Sequence, residues 1–440
     1  MKPMMPVSPP MPMSIARATL AWVAMAWFAT APVWSQGSAA NAGTVMGGRT
    51  TLVASFRAAR ITDPQYRAAL SEKTVNDSAA LGASLAYTPS LSFNNTQMDF
   101  EKATRQTTSI TQPLLSADRF LTLREVEPRA QLAEATMEQR EQDLAQRLLK
   151  AVTEIVRARE GIRVNEYRIA LLDEQAQRAR RMFQLNEGTV TDQRDTDVRR
   201  QQARATQLGL LTRLRVAENQ FSAIVGARPS PEAFRVSALP RPIPLEELDR
   251  YLDSGQVTNP LLVGARQNER LAEIAGQRAK TSLLPTVSGV LQHSVSSGVT
   301  TNYVGIAVSL PLQVQSYAQI ISAGAQAERA REQVRDTEQK LRVDIERLRQ
   351  LVDSGQQELA IRKESILAGE SAVEANLKSQ QGGIRTTVDV MNAIQSLSDV
   401  RNEYTNTAAT LAENYLSLLL QSAVNSADAL EKVQLAVFEN

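Results

Sequence analysis

LLKAVTEIVRAREGIRVNEYRIALLDEQA (148–176) and IERLRQLVDSGQQELAIRKESILAGESAV (345–373) are the two stretches that decide the architecture. In the first, Leu148, Ile155, Ile162, Ile169 and Ala176 recur every seven residues; in the second, Ile345, Val352, Leu359, Ile366 and Val373 do the same, each 197 positions later. A sustained seven-residue apolar spacing marks a helix that packs along a seam. A second row matches too, with Met137, Leu144 and Ala151 corresponding to Val334, Leu341 and Leu348. Two preserved packing rows are what an antiparallel helix sheet or bundle needs. Apart from Pro128, neither 116–185 nor 313–381 contains a proline. Each therefore reads as one helix of about 70 residues, roughly 100 Å at 1.5 Å per residue. Such a stripe suits a solvated coiled-coil rod as well as the wall of a tube, and periodicity alone does not separate them.

Working outward, the chain contains itself twice. Asp63-Pro64 matches Asn259-Pro260, and Pro89 matches Pro285, both at an offset of 196; Gln112-Pro113-Leu114 matches Leu310-Pro311-Leu312 at 198. Thr189-Val190-Thr191-Asp192 matches Thr386-Thr387-Val388-Asp389 at 197. The first copy covers 36–228 and the second 248–421, each reading as helix, hairpin, long helix, turn and returning helix. Between them 229–247 is proline-rich and irregular, an inter-repeat linker, and 422–440 is a C-terminal segment. The turns fall at 186–192 and 382–389, with returning helices to about 226 and 421.

Each copy carries a hairpin before its long helix, at about 82–115 and about 285–312. Val304, Ile306, Val308 and Leu310 alternate with Tyr303, Gly305, Ala307 and Ser309, a period of two with one apolar and one small or polar face. Runs of about 10 residues span a bilayer as tilted strands but also suit a soluble hairpin. Four strands cannot close a transmembrane barrel, and open edges are not tolerated in lipid, so a membrane reading requires more than one copy. Three copies would supply twelve strands.

With 49 basic and 47 acidic residues among 440, the charge balance carries no nucleic-acid signature, and nucleic acid is not expected as a partner. The absence of cysteine and the single histidine, His293, exclude disulfides, thiolate nucleophiles and multi-histidine zinc sites. No phosphate loop, nucleophile–base set or paired catalytic carboxylates stand in a supporting context, so neither catalysis nor a cofactor or metal is expected. His293 lies in a strand run and reads as a barrel-facing or lumen-facing polar residue. Residues 1–35 read as a signal peptide: Lys2 and Arg17 are their only charges, an apolar run covers 18–31, and Val33-Trp34-Ser35 fits a cleavage site. All three tryptophans, Trp22, Trp27 and Trp34, lie in that segment. The mature protein is therefore expected to show tyrosine-only emission, and tryptophan fluorescence from purified mature protein would refute the assignment.

The turns carry the most specific motif. NEGTVTD ends at Asp192, and QGGIRTTVDVMNA runs over 381–393; Gly188 and Gly382-Gly383 read as C-caps, Thr191 or Thr386 as N-caps, and Asp192 and Asp389 as first-turn acids. Two such turns beneath matched heptads, with a signal peptide and two spanning-length hairpins, resemble the TolC family of outer-membrane efflux and secretion channels over nearly the whole mature chain. The resemblance implies a mainly α chain with a β-barrel part. In it a homotrimer forms one twelve-stranded barrel in the outer membrane of a Gram-negative bacterium, continued by a periplasmic helical tunnel. It implies a passive exit duct working with a periplasmic adaptor and an inner-membrane ABC or proton-driven transporter, in type I secretion or efflux. It places an entrance latch on Arg385, with partners Thr191 and Asp192. The family's latch tyrosine falls on Gln380. The entrance's paired acids fall on Asp389 and Asn392, so three carboxylates rather than six would line it and cation preference is expected to be weakened. It also implies that the periplasmic turns, with Gly188, Thr189, Gly382, Gly383 and Thr386, meet the adaptor. A periplasmic coiled-coil adaptor or scaffold is the alternative, although it would be expected to have one helical hairpin flanked by small β domains.

Overall fold

A computed structural model describes residues 51–98, 103–185, 189–231, 233–237, 241–296, 298–310 and 315–438. The signal-peptide segment 1–35 and Gly188 lie outside the described residues. Each copy begins with two helices where the sequence suggests one. Helices α1 (Leu52–Thr62) and α2 (Pro64–Ser84) are separated at Asp63. Further on, α6 (Leu248–Thr258) and α7 (Pro260–Thr281) are separated at Asn259. The α region is disfavoured for a residue before proline, and Asp63 and Asn259 take ψ of 119° and 123°. Both then cap the helix that follows, Asp63 accepting from the Tyr66 amide and Asn259 from those of Leu261 and Leu262.

Helix α2 runs to Ser84, so the first strand starts at Ser90 rather than near 82; the alanine-rich stretch before it favours helix over alternation. Strands β1 (Ser90–Met98), β2 (Ala103–Leu115), β3 (Thr286–Ser296) and β4 (Val299–Ser309) form one antiparallel sheet in the order β1-β2-β3-β4. Both copies thus contribute a hairpin to a single sheet, joined where β2 pairs with β3.

The first long helix is also two pieces, α3 (Ala117–Arg124) and α4 (Val126–Gln184), divided at Glu125. Pro128 has no N–H to offer the Arg124 carbonyl, and its ring crowds that turn. The break is secured by Arg278 of α7, whose guanidinium lies 2.7 Å from the buried Glu125 carboxylate and 2.7 Å from Asp118. The second copy has no proline there, and α8 (Gln315–Gln381) is continuous over 67 residues. The returning helices are α5 (Val190–Val225) and α9 (Thr387–Gln421), and α10 (Ser426–Val437) lies in the C-terminal segment. Helix α4 packs between α5 and α9, and α9 between α4 and α8; nearer the sheet, α4 packs between α2 and α7, and α7 against α8. The two lateral edges are therefore α2/α5 and α8, continuing strand edges β1 and β4.

The heptad rows form the seam. Leu148, Ile155, Ile345 and Val352 are fully buried, Leu359, Ala176 and Val373 nearly so, and Ile162, Ile169 and Ile366 half-buried. The main core lies at mid-helix, where α1, α6 and α10 cover the seam with Phe56, Leu252 and Leu430. The linker joins it by pairing with the C-terminus: Val236 bridges Phe438, and the Ser237 amide donates to the Val437 carbonyl at 2.9 Å.

The repeat exposes one strained position. Helix α5 ends at Gly226 with φ of +79°, whereas the residue 197 later, Ala423, takes φ of +60°. Ala423 completes the turn that ends α9: its amide donates to the Leu420 carbonyl and the Val424 amide to that of Leu419. A side chain in the left-handed region costs roughly 1 kcal/mol that glycine avoids. Ala423→Gly is therefore expected to stabilise the protein by about that amount, and a lowered denaturation midpoint would contradict this.

Candidate functional site at the helical turns

The site suggested by the sequence is the pair of turns at the ends of α4 and α8, far along the helices from the sheet. The second turn is fully described. The Ile384 amide donates to the Ser379 carbonyl at 3.0 Å and the Gly383 amide to that of Gln380 at 3.1 Å, with Gly383 at φ of +75°. This pair of bonds is the Schellman closure, and it needs a residue tolerant of positive φ at position 383. It leaves Ile384 82% exposed at the tip.

Helix α9 then starts in a reciprocal cap. The Asp389 amide donates to Thr386 Oγ1 at 3.2 Å, while the Thr386 amide and hydroxyl donate to Asp389 Oδ2 at 3.0 and 2.9 Å. Those bonds from the Thr386 amide and hydroxyl hold the Asp389 carboxyl below its ordinary range, with a smaller contribution from Arg385. Asp389 is thus a charged first-turn acid.

In the first turn the cap is Thr189, not Thr191. Thr189 Oγ1 accepts from the Asp192 amide at 3.1 Å and donates to Asp192 Oδ2 at 2.7 Å. Thr189 is the threonine that the overlay of the two copies aligns with Thr386, 197 positions later, and Val190, like Thr387, already takes the helical conformation. Thr191 lies in the first turn, exposed, and Asp192 turns its carboxylate onto its own cap.

Within one protomer Arg385 is not brought to Thr191 or Asp192. It is exposed, and its guanidinium makes no hydrogen bond or ion pair among the described residues. Gln380 is buried and bridges three helices: its side-chain nitrogen donates to Gln175 Oε1 at 3.1 Å and to Thr387 Oγ1 at 3.2 Å, and its backbone carbonyl accepts from Arg178 at 3.2 Å. Asn392 also has a partner, its Oδ1 accepting from Arg199 Nη1 of α5 at 3.1 Å. Gln175, Arg178 and Arg199 went unnoticed in the sequence, since cross-helix polar contacts have no period of their own. The repeat held one signal: Asp195, which pairs with Arg199 at 3.3 Å, lies 197 positions before Asn392.

At the opposite end, Leu91, Ile110, Leu291 and Val304 stand opposite one another across the four strands, all exposed on one face. The other face bears the row Ser92, Ser109, Gln292 and Tyr303, and Arg105 is its only charged residue among those described. His293 sits on the apolar face at its loop end, its Nδ1 2.7 Å from Asn302 Oδ1. Among the described residues no helix is long and apolar enough to cross a membrane.

No protein-family model matches the chain. It is 25% identical over 391 residues to the alkaline protease secretion protein AprF of Pseudomonas aeruginosa, covering 80% of each chain. It is 23% identical over 346 residues to the proteases secretion protein PrtF of Dickeya chrysanthemi, covering 74% of this chain and 73% of that protein. The outer membrane protein VceC of Vibrio cholerae has the same fold, with a TM-score of 0.72 at 16% identity over 85% of this chain and 96% of that one.

Proposed function

Since the chain is a member of the TolC family of outer-membrane efflux and secretion channels, we propose that it is the passive exit duct of a tripartite export system. The observation that carries this reading is the sheet. Its strands of 9 to 13 residues have one exposed apolar face and one hydroxyl- and amide-bearing face, and among the described residues both its edges, β1 and β4, are unpaired. Such a sheet is stable in lipid only when its edges are paired. Three copies joined β4 to β1 close twelve strands, with Leu91, Ile110, Leu291 and Val304 toward lipid and the Ser92–Tyr303 row toward the lumen. The same closure sets α8 of one copy against α2/α5 of the next and continues the barrel as a periplasmic tunnel. An adaptor would not have its two hairpins merged in one sheet.

The protein belongs in the outer membrane of a Gram-negative bacterium, and its partners are a periplasmic adaptor and an inner-membrane transporter. The names of AprF and PrtF favour a polypeptide cargo. The turns, with Thr189, Gly382, Gly383 and Thr386 framing exposed Ile384 and Val190, are the adaptor-facing surface. The latch is read as lying between copies: Arg385, whose guanidinium makes no hydrogen bond or ion pair among the described residues, takes Thr191 and Asp192 of the neighbouring one.

Heat-modifiable trimers in the outer-membrane fraction, with mixed helical and strand circular dichroism in detergent, are the expected result. A stable detergent-solubilised monomer would overturn the shared barrel.

A further inference from the structure

Asn392 and Asp195 occupy the same place in the two copies, three residues after Asp389 and Asp192. In the folded chain one side chain serves both. Arg199 extends from α5 so that its Nε lies 3.3 Å from Asp195 Oδ2 and its Nη1 donates to Asn392 Oδ1 at 3.1 Å. Both Arg199 and Asp195 remain partly exposed in the single protomer. The surroundings carry charges of both signs. Arg168 of α4 is half-buried, and its pKa is held down by burial and, to a lesser extent, by Arg199, against the pull of Asp399.

A second acidic position near the entrance is therefore present in this chain, on α5 rather than α9, but it is paired. We propose that Arg199 is a specificity-determining residue of the duct, masking the Asp195 carboxylate and so limiting the entrance's preference for cations. The inference rests on reading this end of the molecule as the entrance. A ring of carboxylates favours cations, and a guanidinium in contact with each one leaves a dipole whose field falls off faster than that of the bare charge. Three copies would hold three such masked carboxylates beside the three of Asp389. By the same geometry, an acid introduced at 392 would meet Arg199 before it met a passing ion.

The test is the reversal potential of reconstituted trimers in a KCl gradient. Arg199→Gln is expected to raise the potassium-to-chloride permeability ratio by about twofold or more near 0.1 M salt, where screening acts over about 10 Å. In Arg199→Gln combined with Asp195→Asn the ratio should return toward wild type, since the unmasked charge is gone. A ratio unchanged in Arg199→Gln, with trimers and conductance intact, would overturn the proposal while leaving the channel reading in place. So would a ratio that stays raised in the double variant, because the carboxylate would then not be its source. Loss of pores from the wild-type protein itself would instead count against the entrance reading.

Discussion

Arg147→Ala is expected to destabilise the protein by roughly 1–3 kcal/mol, since it takes the partly exposed guanidinium away from a buried carboxylate. Asp63 is 3% exposed and caps α2, and Arg147 of α4 grips it with both guanidinium nitrogens, at 3.2 and 2.8 Å. Burial alone would raise the Asp63 pKa, but the hydrogen bond from Arg147 and then the Tyr66 amide outweigh it and hold the carboxyl below its ordinary value. An acid whose pKa is lowered on folding contributes stability above its unfolded value, near 3.9, and loses that contribution as pH falls through the folded value. In Arg147→Ala burial is unopposed by the guanidinium, so the deficit should be largest at neutral pH and shrink below about pH 4, where Asp63 is protonated. The second copy shows a neutral solution at this place. Asn259 caps α7 and donates through Nδ2 to the Gln421 carbonyl at 2.9 Å, and the residue 197 after Arg147 is Asp344. Asp63→Asn combined with Arg147→Ala should accordingly recover most of the loss. Denaturant unfolding across pH would check this, and a deficit below about 1 kcal/mol in the single variant would show that the pair is only marginal.

Arg385→Ser is expected to give markedly larger single-channel conductance in planar bilayers. Asp192 and Asp389 are each engaged by the threonine that caps their own helix, and among the described residues the Arg385 guanidinium makes no hydrogen bond or ion pair. A guanidinium can grip a carboxylate and a carbonyl together, which suits a link between neighbouring copies. A charge-assisted hydrogen bond contributes roughly 1.5–3 kcal/mol, and losing one at each of three interfaces would shift a closed entrance toward open by well over tenfold. Asp192→Ala should have a smaller effect, because Thr191 still offers an acceptor. Conductance unchanged in the Arg385 variant, with trimers intact, would make this arginine a surface charge and leave closure to the buried bridge at Gln380.

The two repeats, their heptad rows and the alternating strands were legible in the sequence because each depends on a period that local chemistry imposes. Leu148 and Ile345 had to face a neighbour whichever fold contained them, and Thr386 and Asp389 close on each other within one turn. The break at Glu125 was not legible in the same way: 116–185 reads as one helix in spite of Pro128, whose missing N–H divides it. What the sequence left open was everything fixed by distance through space. That both hairpins share one sheet depends on the register between β2 and β3, residues nearly 200 positions apart, which no local pattern encodes. The partners of Gln380 and Asn392 were settled only when α4, α5, α8 and α9 packed side by side. Packing brought Gln175, Arg178 and Arg199 within hydrogen-bonding reach, because a polar contact between helices needs only proximity and leaves no periodic trace in the chain.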